Sequence, residues 1–290
     1  MANTQDIRRR IKSIRNTAQI TKAMQMVAAS KMRKAQQHAL AGRPYSELLN
    51  RVLVSLKGRT DPLLHPLLQI RPTNRELVLV ISTDKGLAGA LNTNLMREAA
   101  NFDSAKTVYV TAGRKARQFI ARTKRELLAD FELKDAPTIL ETKVISKFCV
   151  EKFLGREVDK VTVLYTQFVN TINQKPVAQT LLPISRFVFD TRAGGQNEPG
   201  VDLMLEYTFE PSPQAVLDFM LPYYVQYEVY QMVLDARASE HSARMVAMKN
   251  ATDNANQFIK DLTLEYNKMR QASITTELLE IATAQMAIGG

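Results

Sequence analysis

LDARASEHSARMVAMKNATDNANQFIKDLTLEYNKMRQAS, residues 234–273, decides the fold. Along it Leu234, Ala238, His241, Met245, Met248, Thr252, Ala255, Ile259, Leu262, Tyr266, Met269 and Ser273 recur at alternating four- and three-residue steps. That period keeps one stripe of a helix turned toward a partner helix. No glycine or proline interrupts the chain between Pro222 and Gly289, so the stripe predicts a coiled-coil strand and not the core helix of a globular domain. The helix is expected to start at the Glu210-Pro211-Ser212-Pro213 signal and to bend locally at Pro222. Over residues 211–288 it would reach on the order of 110 Å at about 1.5 Å per residue.

The other end of the chain carries a matching pattern. Ile7, Ile11, Ile14, Ala18, Thr21, Gln25, Ala28, Met32 and Ala35 keep the same steps, with Thr21 and Gln25 as the weak positions. Strong helix formers dominate from Thr4 to Lys57, with a kink site at Gly42-Arg43-Pro44. The many small seam residues suit close approach of another helix. Each stripe is most simply buried against the other, and the intervening chain must return, so residues 1–57 are expected to pair antiparallel with residues 211–288. The longer C-terminal member then overhangs by roughly 20 residues. That overhang, Gln271–Gly290, has two acidic residues, no lysine or arginine, and many Ile, Leu, Ala and Met. An apolar tip in water calls for a partner with a socket.

Between the helices the period changes. Residues 76–83 (ELVLVIST), 106–113 (KTVYVTAG), 159–170 (DKVTVLYTQFVN) and 176–184 (PVAQTLLPI) read as strands, and 89–102, 114–125 and 144–154 as helices. This predicts a central Rossmann-like α/β domain over 74–190 with crossover helices and at least one antiparallel edge. Asp190–Gly200 reads as a linker back to the second long helix. The fold class is therefore mixed: a long antiparallel coiled coil of the terminal helices plus a central α/β domain.

Composition narrows the function. No apolar run approaches the roughly 18 residues of a membrane span, and no secretory signal opens the chain, so a reducing, cytosolic setting is expected. Cys149 stands alone and reads as a small buried hydrophobe. His38, His65 and His241 have no ligand spacing, so no metal site is expected. The net charge of +10 is uneven: residues 1–57 hold 12 basic and 2 acidic residues, whereas residues 211–290 hold 6 and 9. The basic end attracts acidic protein, nucleic acid or an anionic surface.

Ser82-Thr83-Asp84-Lys85-Gly86-Leu87-Ala88-Gly89-Ala90-Leu91-Asn92 is a glycine-containing loop between a strand and a helix, a place that can cradle phosphate. It lacks the G-x-G-x-x-G spacing and the Gly-Lys-Ser/Thr of a P-loop, and reads as a structural turn or protein contact. Neither a nucleophile elbow nor a paired-carboxylate site is present, so no catalytic or cofactor-binding residue is assigned. Arg8, Arg9, Arg10, Lys12, Arg15, Lys22, Lys31, Arg33 and Lys34 could follow phosphates. Aromatics are absent until Tyr45, which leaves stacking recognition without support. A basic coiled-coil nucleic-acid-binding protein is the alternative from another class, and a nucleotide-binding enzyme with helical arms is a third.

Ile7–Ile14 (IRRRIKSI), followed by Ile20–Met32 (ITKAMQMVAASKM), resembles the signature opening of F-type ATP synthase gamma subunits. Ser239–Ala255 and Tyr266–Thr275 resemble the second signature of that family, and Ser82–Leu87 its strand-end motif, so the likeness spans the chain. The resemblance implies a central shaft threaded through a hexamer of three alpha and three beta subunits. Its α/β foot would rest on an epsilon subunit and a membrane-embedded c-ring, and the catalytic sites would belong to the hexamer. It further implies hexamer contacts at Lys22, Met24, Arg244, Arg270 and Gln271, and foot or ring contacts at Tyr207 and Glu210. No cofactor, nucleic acid or direct membrane span is implied. The chloroplast members' regulatory cysteine pair has no counterpart in Asp190–Pro213. The setting expected is the cytoplasmic side of a bacterial cell membrane, as a peripheral subunit.

Overall fold

Glu76–Ile81 (β1), apolar and buried from Leu77 onward, lies at the centre of a sheet. The computed structural model describes residues 4–57, 65–184 and 208–288. β1 pairs in parallel with Thr107–Ala112 (β2) and with Lys160–Phe168 (β4). Outside β2 lies Leu127–Phe131 (β3), also parallel, and outside β4 lies Gln174–Leu182 (β5), antiparallel. The sheet order is β3-β2-β1-β4-β5. The antiparallel edge agrees with expectation, while β3 is a strand that sequence reading missed.

The crossovers are helical. Leu91–Ala100 (α3) and Arg114–Arg122 (α4) cover one face of the sheet, where Leu95, Met96, Ala99, Ala116 and Ile120 pack on Val78, Val80, Tyr109 and Leu164. Ile139–Leu154 (α5) covers the other face with Ile145, Cys149 and Phe153. Its start is set by a capping box: the Thr138 hydroxyl accepts from the Glu141 N–H, and the Glu141 carboxylate accepts from the Thr138 N–H. Cys149 is fully buried among apolar residues, which pushes its thiol up to about 12.

The N-terminal helix divides at Gly42 into Thr4–Ala41 (α1) and Arg43–Lys57 (α2). α2 carries Leu49, Leu53 and Leu56 into the core of the α/β domain. Each such leucine is worth roughly 1.5–3 kcal/mol of burial. The last helix, Pro213–Ile288 (α6), begins where the Pro-rich signal placed it, with the Ser212 hydroxyl accepting from the Ala215 N–H. Its first stretch also packs into that core, through Leu217, Leu221, Val225, Val229, Met232 and Val233. Two compact units result: Ser30–Ala243, and a helical pair of Met1–Ala29 with Arg244–Gly290. The Asp190–Gly200 linker reading lies outside the described residues.

His65 closes the short helical turn at Pro66–Leu68 by accepting from the Leu67 N–H at Nδ1, which requires a neutral ring. Burial lowers its pKa, and Asp218, 3.7 Å away, offsets only part of that shift. The unfolded chain therefore holds this proton more readily. The contribution of His65 is whole above its ordinary value of 6.5 and is lost as pH falls toward the lower folded value. The urea midpoint is expected to fall between about pH 7.5 and 5.5. A His65→Asn variant, which keeps an acceptor but does not titrate, should flatten that fall. An equal fall in both proteins would remove His65 as the cause.

Candidate functional site

In the helical pair, burial follows the seam. Ile7, Ala18, Thr21 and Ala28 are buried on α1, and Met248, Thr252 and Ala255 on α6, while Ile259, Leu262, Tyr266 and Met269 are half-buried among exposed neighbours. Thr21 of α1 lies against Thr252 of α6, while Gly42, further along the N-terminal helix, accepts from Tyr227, earlier along α6, so the two helices run antiparallel.

The two weak seam positions make the best-defined contact. Thr21 Oγ1 lies 2.7 Å from Thr252 Oγ1, so one hydroxyl donates to the other, and the accepting one donates to its own helix carbonyl, Ala18 for Thr21 or Met248 for Thr252. A polar pair in an otherwise apolar or small-residue seam fixes register, because a slip would bury hydroxyls without each other. A double-mutant cycle with Thr21→Val and Thr252→Val should give a coupling of about 1 kcal/mol in urea unfolding. Strict additivity of the two single variants would deny the contact.

Past Met269 no described residue covers α6. Residues 270–285 are all exposed, including Ile274, Leu278, Leu279 and Ile281. Arg270 and Gln271 are the first exposed residues of this stretch. Lys22 is exposed and donates to the Gln25 side chain, Met24 is half-buried, and Arg244 is half-buried. These residues do not form one cluster. Lys22 neighbours the Thr21–Thr252 contact, while Arg244 lies about 12 Å and Arg270 about 27 Å from Thr252 along α6. Glu210 is exposed just ahead of α6, and Tyr207 lies outside the described residues.

In the α/β unit the Ser82–Asn92 loop spends its polar groups internally. Ser82 Oγ donates to the Gly113 carbonyl and accepts from the Ala116 N–H. Thr83 Oγ1 donates to the Lys85 carbonyl at 2.7 Å and accepts from the Asn92 amide at 2.9 Å. Asp84 Oδ1 accepts from the Arg114 N–H at 3.0 Å and so caps the N-terminus of the neighbouring α4. These side chains thus serve the turn itself.

The order of strands reverses between β1 and β4, and a doubly wound sheet binds its ligands outside the carboxyl ends at that place. Here α6 crosses it. The Arg237 side chain, 4% exposed, donates to Glu240 at 2.7 Å, to the Leu133 carbonyl at 2.8 Å and to Asp84 at 3.4 Å. Burial disfavours its charge, but Glu240 and Asp84 outweigh burial and raise the guanidinium's pKa. Ser242 donates to the Thr171 carbonyl. Nearby, Lys31 meets Asp135 at 2.5 Å, and that bond holds the Asp135 carboxyl below the usual range. Sequence reading missed Arg237, since its partners come from loops far along the chain.

Among the described residues no group of three or more His, Cys, Asp or Glu side chains is placed to hold a metal, and no helix is long and apolar enough to cross a membrane. Two terminal helices paired by a small-residue seam, together with an α/β unit whose ligand crevice is filled by the last helix, define a stalk-type subunit. The ATP synthase family model matches residues 3–288. The ATP synthase gamma chain of Methylacidiphilum infernorum is 51% identical over 100% of both chains, and that of Opitutus terrae 50% identical over 99% of both. Among solved structures, a chain of the Euglena gracilis mitochondrial ATP synthase superposes with a TM-score of 0.68 at 21% identity, covering 98% of this chain and 94% of that one. A chain of the Tetrahymena thermophila central stalk gives 0.60 at 24% identity, covering 80% and 99%. The chain belongs to the ATP synthase gamma-chain family, whose members form the rotor shaft of the enzyme. The nucleic-acid reading of the basic helix is set aside.

Proposed function

We propose that the chain couples proton flow through a membrane c-ring to ATP synthesis and hydrolysis at an alpha-beta hexamer, with no catalytic site of its own. The observation that carries this reading is the abrupt end of burial after Met269, which leaves an apolar tip at residues 271–285 with only Glu277 and Glu280 as charges. The tip fits a hydrophobic socket at the centre of the hexamer. The exposed basic residues of α1 face acidic segments of surrounding subunits, and the α/β unit stands on an epsilon subunit and the ring. Arg244, Arg270 and Gln271 contact the beta subunits, with Lys22 and Met24 near the same zone, and Tyr207 and Glu210 serve the foot.

Coupling follows from asymmetry. The two helices present different charge and apolar surface, so each angular position of the pair favours a different conformation of each neighbour. The catalytic nucleotides are bound by the beta subunits. The complex is held peripherally on the cytoplasmic face of a bacterial membrane. Co-purification of the full chain with alpha and beta subunits, followed by an ATPase assay, tests the reading. An assembled complex with turnover, and none by the chain alone, is expected. Salt-sensitive DNA binding with no affinity for the hexamer, or turnover by the isolated chain, would overturn it.

A further inference from the structure

We infer that Arg237 is the positioning residue through which turning force passes between α6 and the α/β foot, an inference that rests on the shaft reading above. A rotating helix delivers work to its foot only if the two turn together. Apolar packing alone resists separation better than sliding, because it has no direction. Hydrogen bonds to a guanidinium do have direction, since its planar fork fixes the angle of each donor.

Arg237 reaches three backbone or side-chain positions that belong to different parts of the fold. Asp84 follows β1, Leu133 follows β3, and Glu240 lies one turn further along α6. Asp84 extends the linkage to the start of α4 through the Arg114 N–H. Ser242 adds the turn after β4. The carboxyl ends of the sheet thus hold one turn of α6 from several sides, and they do so within the last seven residues of the foot unit, which closes at Ala243.

A buried charge network is an expensive way to gain stability, because apolar residues of similar volume often stabilise as well. What they do not supply is angular definition. The neutral triple variant Arg237→Met, Asp84→Asn, Glu240→Gln separates the two roles. It leaves no buried charge unpaired, and Asp84→Asn keeps a side-chain oxygen to accept from the Arg114 N–H. Arg237→Lys retains charge without the fork.

The test uses the assembled complex, with rotation read from a bead on the foot. The triple variant is expected to assemble and to hydrolyse ATP as the parent does. Its angular spread at each dwell should widen by about twofold or more, and ion pumping per ATP should fall to the extent that the foot slips under load. Arg237→Lys should lie between the two. A triple variant that assembles and shows the parental spread and pumping ratio would overturn the inference. If the triple variant does not assemble, Arg237→Lys decides by the same two readouts. Failure of the parent chain to assemble would instead refute the shaft reading.

Discussion

Gly113→Ala is expected to cost about 3 kcal/mol or more, the largest loss from removal of a single glycine among the described residues. Gly113 sits between β2 and α4 with φ at +117°, in the region L side chains rarely adopt. A Cβ there would lie 2.4 Å from the Ser82 carbonyl oxygen and 2.9 Å from its carbon, both backbone atoms at the end of the neighbouring strand. Neither can yield cheaply, because the Ser82 N–H donates to the Ala112 carbonyl and Ser82 Oγ serves both the Gly113 carbonyl and the Ala116 N–H. Urea unfolding followed by circular dichroism should show the midpoint collapse. An alanine variant with the parental midpoint would mean that the loop relaxes freely. By contrast, a Cβ at Gly42 would meet the Tyr227 hydroxyl and the Gln231 amide, which are side-chain ends and not backbone, at an ordinary φ, so alanine there should be milder.

The second large effect concerns assembly and leaves folding alone. In a double variant Arg270→Ala, Gln271→Ala, the chain itself should unfold at the parental midpoint, since both side chains are exposed and lie beyond the packed seam. ATP synthesis by the reconstituted enzyme should fall about tenfold, as expected for loss of roughly 1.4 kcal/mol of contact energy. Normal assembly with unchanged synthesis would remove these two residues from the hexamer interface.

The paired helices were legible in the sequence because a 3.5-residue period marks every turn of a seam, and burial at Ile7, Ala18, Ala28, Met248 and Ala255 follows it. The N-terminal seam reading ended at Ala35. Leu49, Leu53 and Leu56 of α2 keep the same four- and three-residue steps but face a globular core, and spacing alone does not tell one from the other. β3 left no pattern to find. Its five residues lie at a parallel edge and are all half-buried, so neither a continuous apolar run nor an alternation sets them apart. The start of α5 was readable: Thr138 and Glu141 form a capping box, and expecting the helix only from residue 144 overlooked it. The Arg237 anchorage was out of reach. Two of its three partners stand 153 and 104 residues away, and only the closed sheet brings them to it.

The uncovered end of α6 has a practical side for anyone handling the separated subunit. Ile274, Leu278, Leu279 and Ile281 are each 45% or more exposed on one short stretch that has no basic residue. The antiparallel pairing sets Arg8, Arg9 and Arg10 of α1 only a few turns below that stretch, so two free molecules that approach tip to tip repel chiefly through these charges. Added salt, which relieves the charge on α1, removes nothing from that apolar attraction. Clumping of the purified chain should thus worsen with ionic strength and ease when the last turns are occupied, making colloidal behaviour a direct report on whether the tip is sheathed.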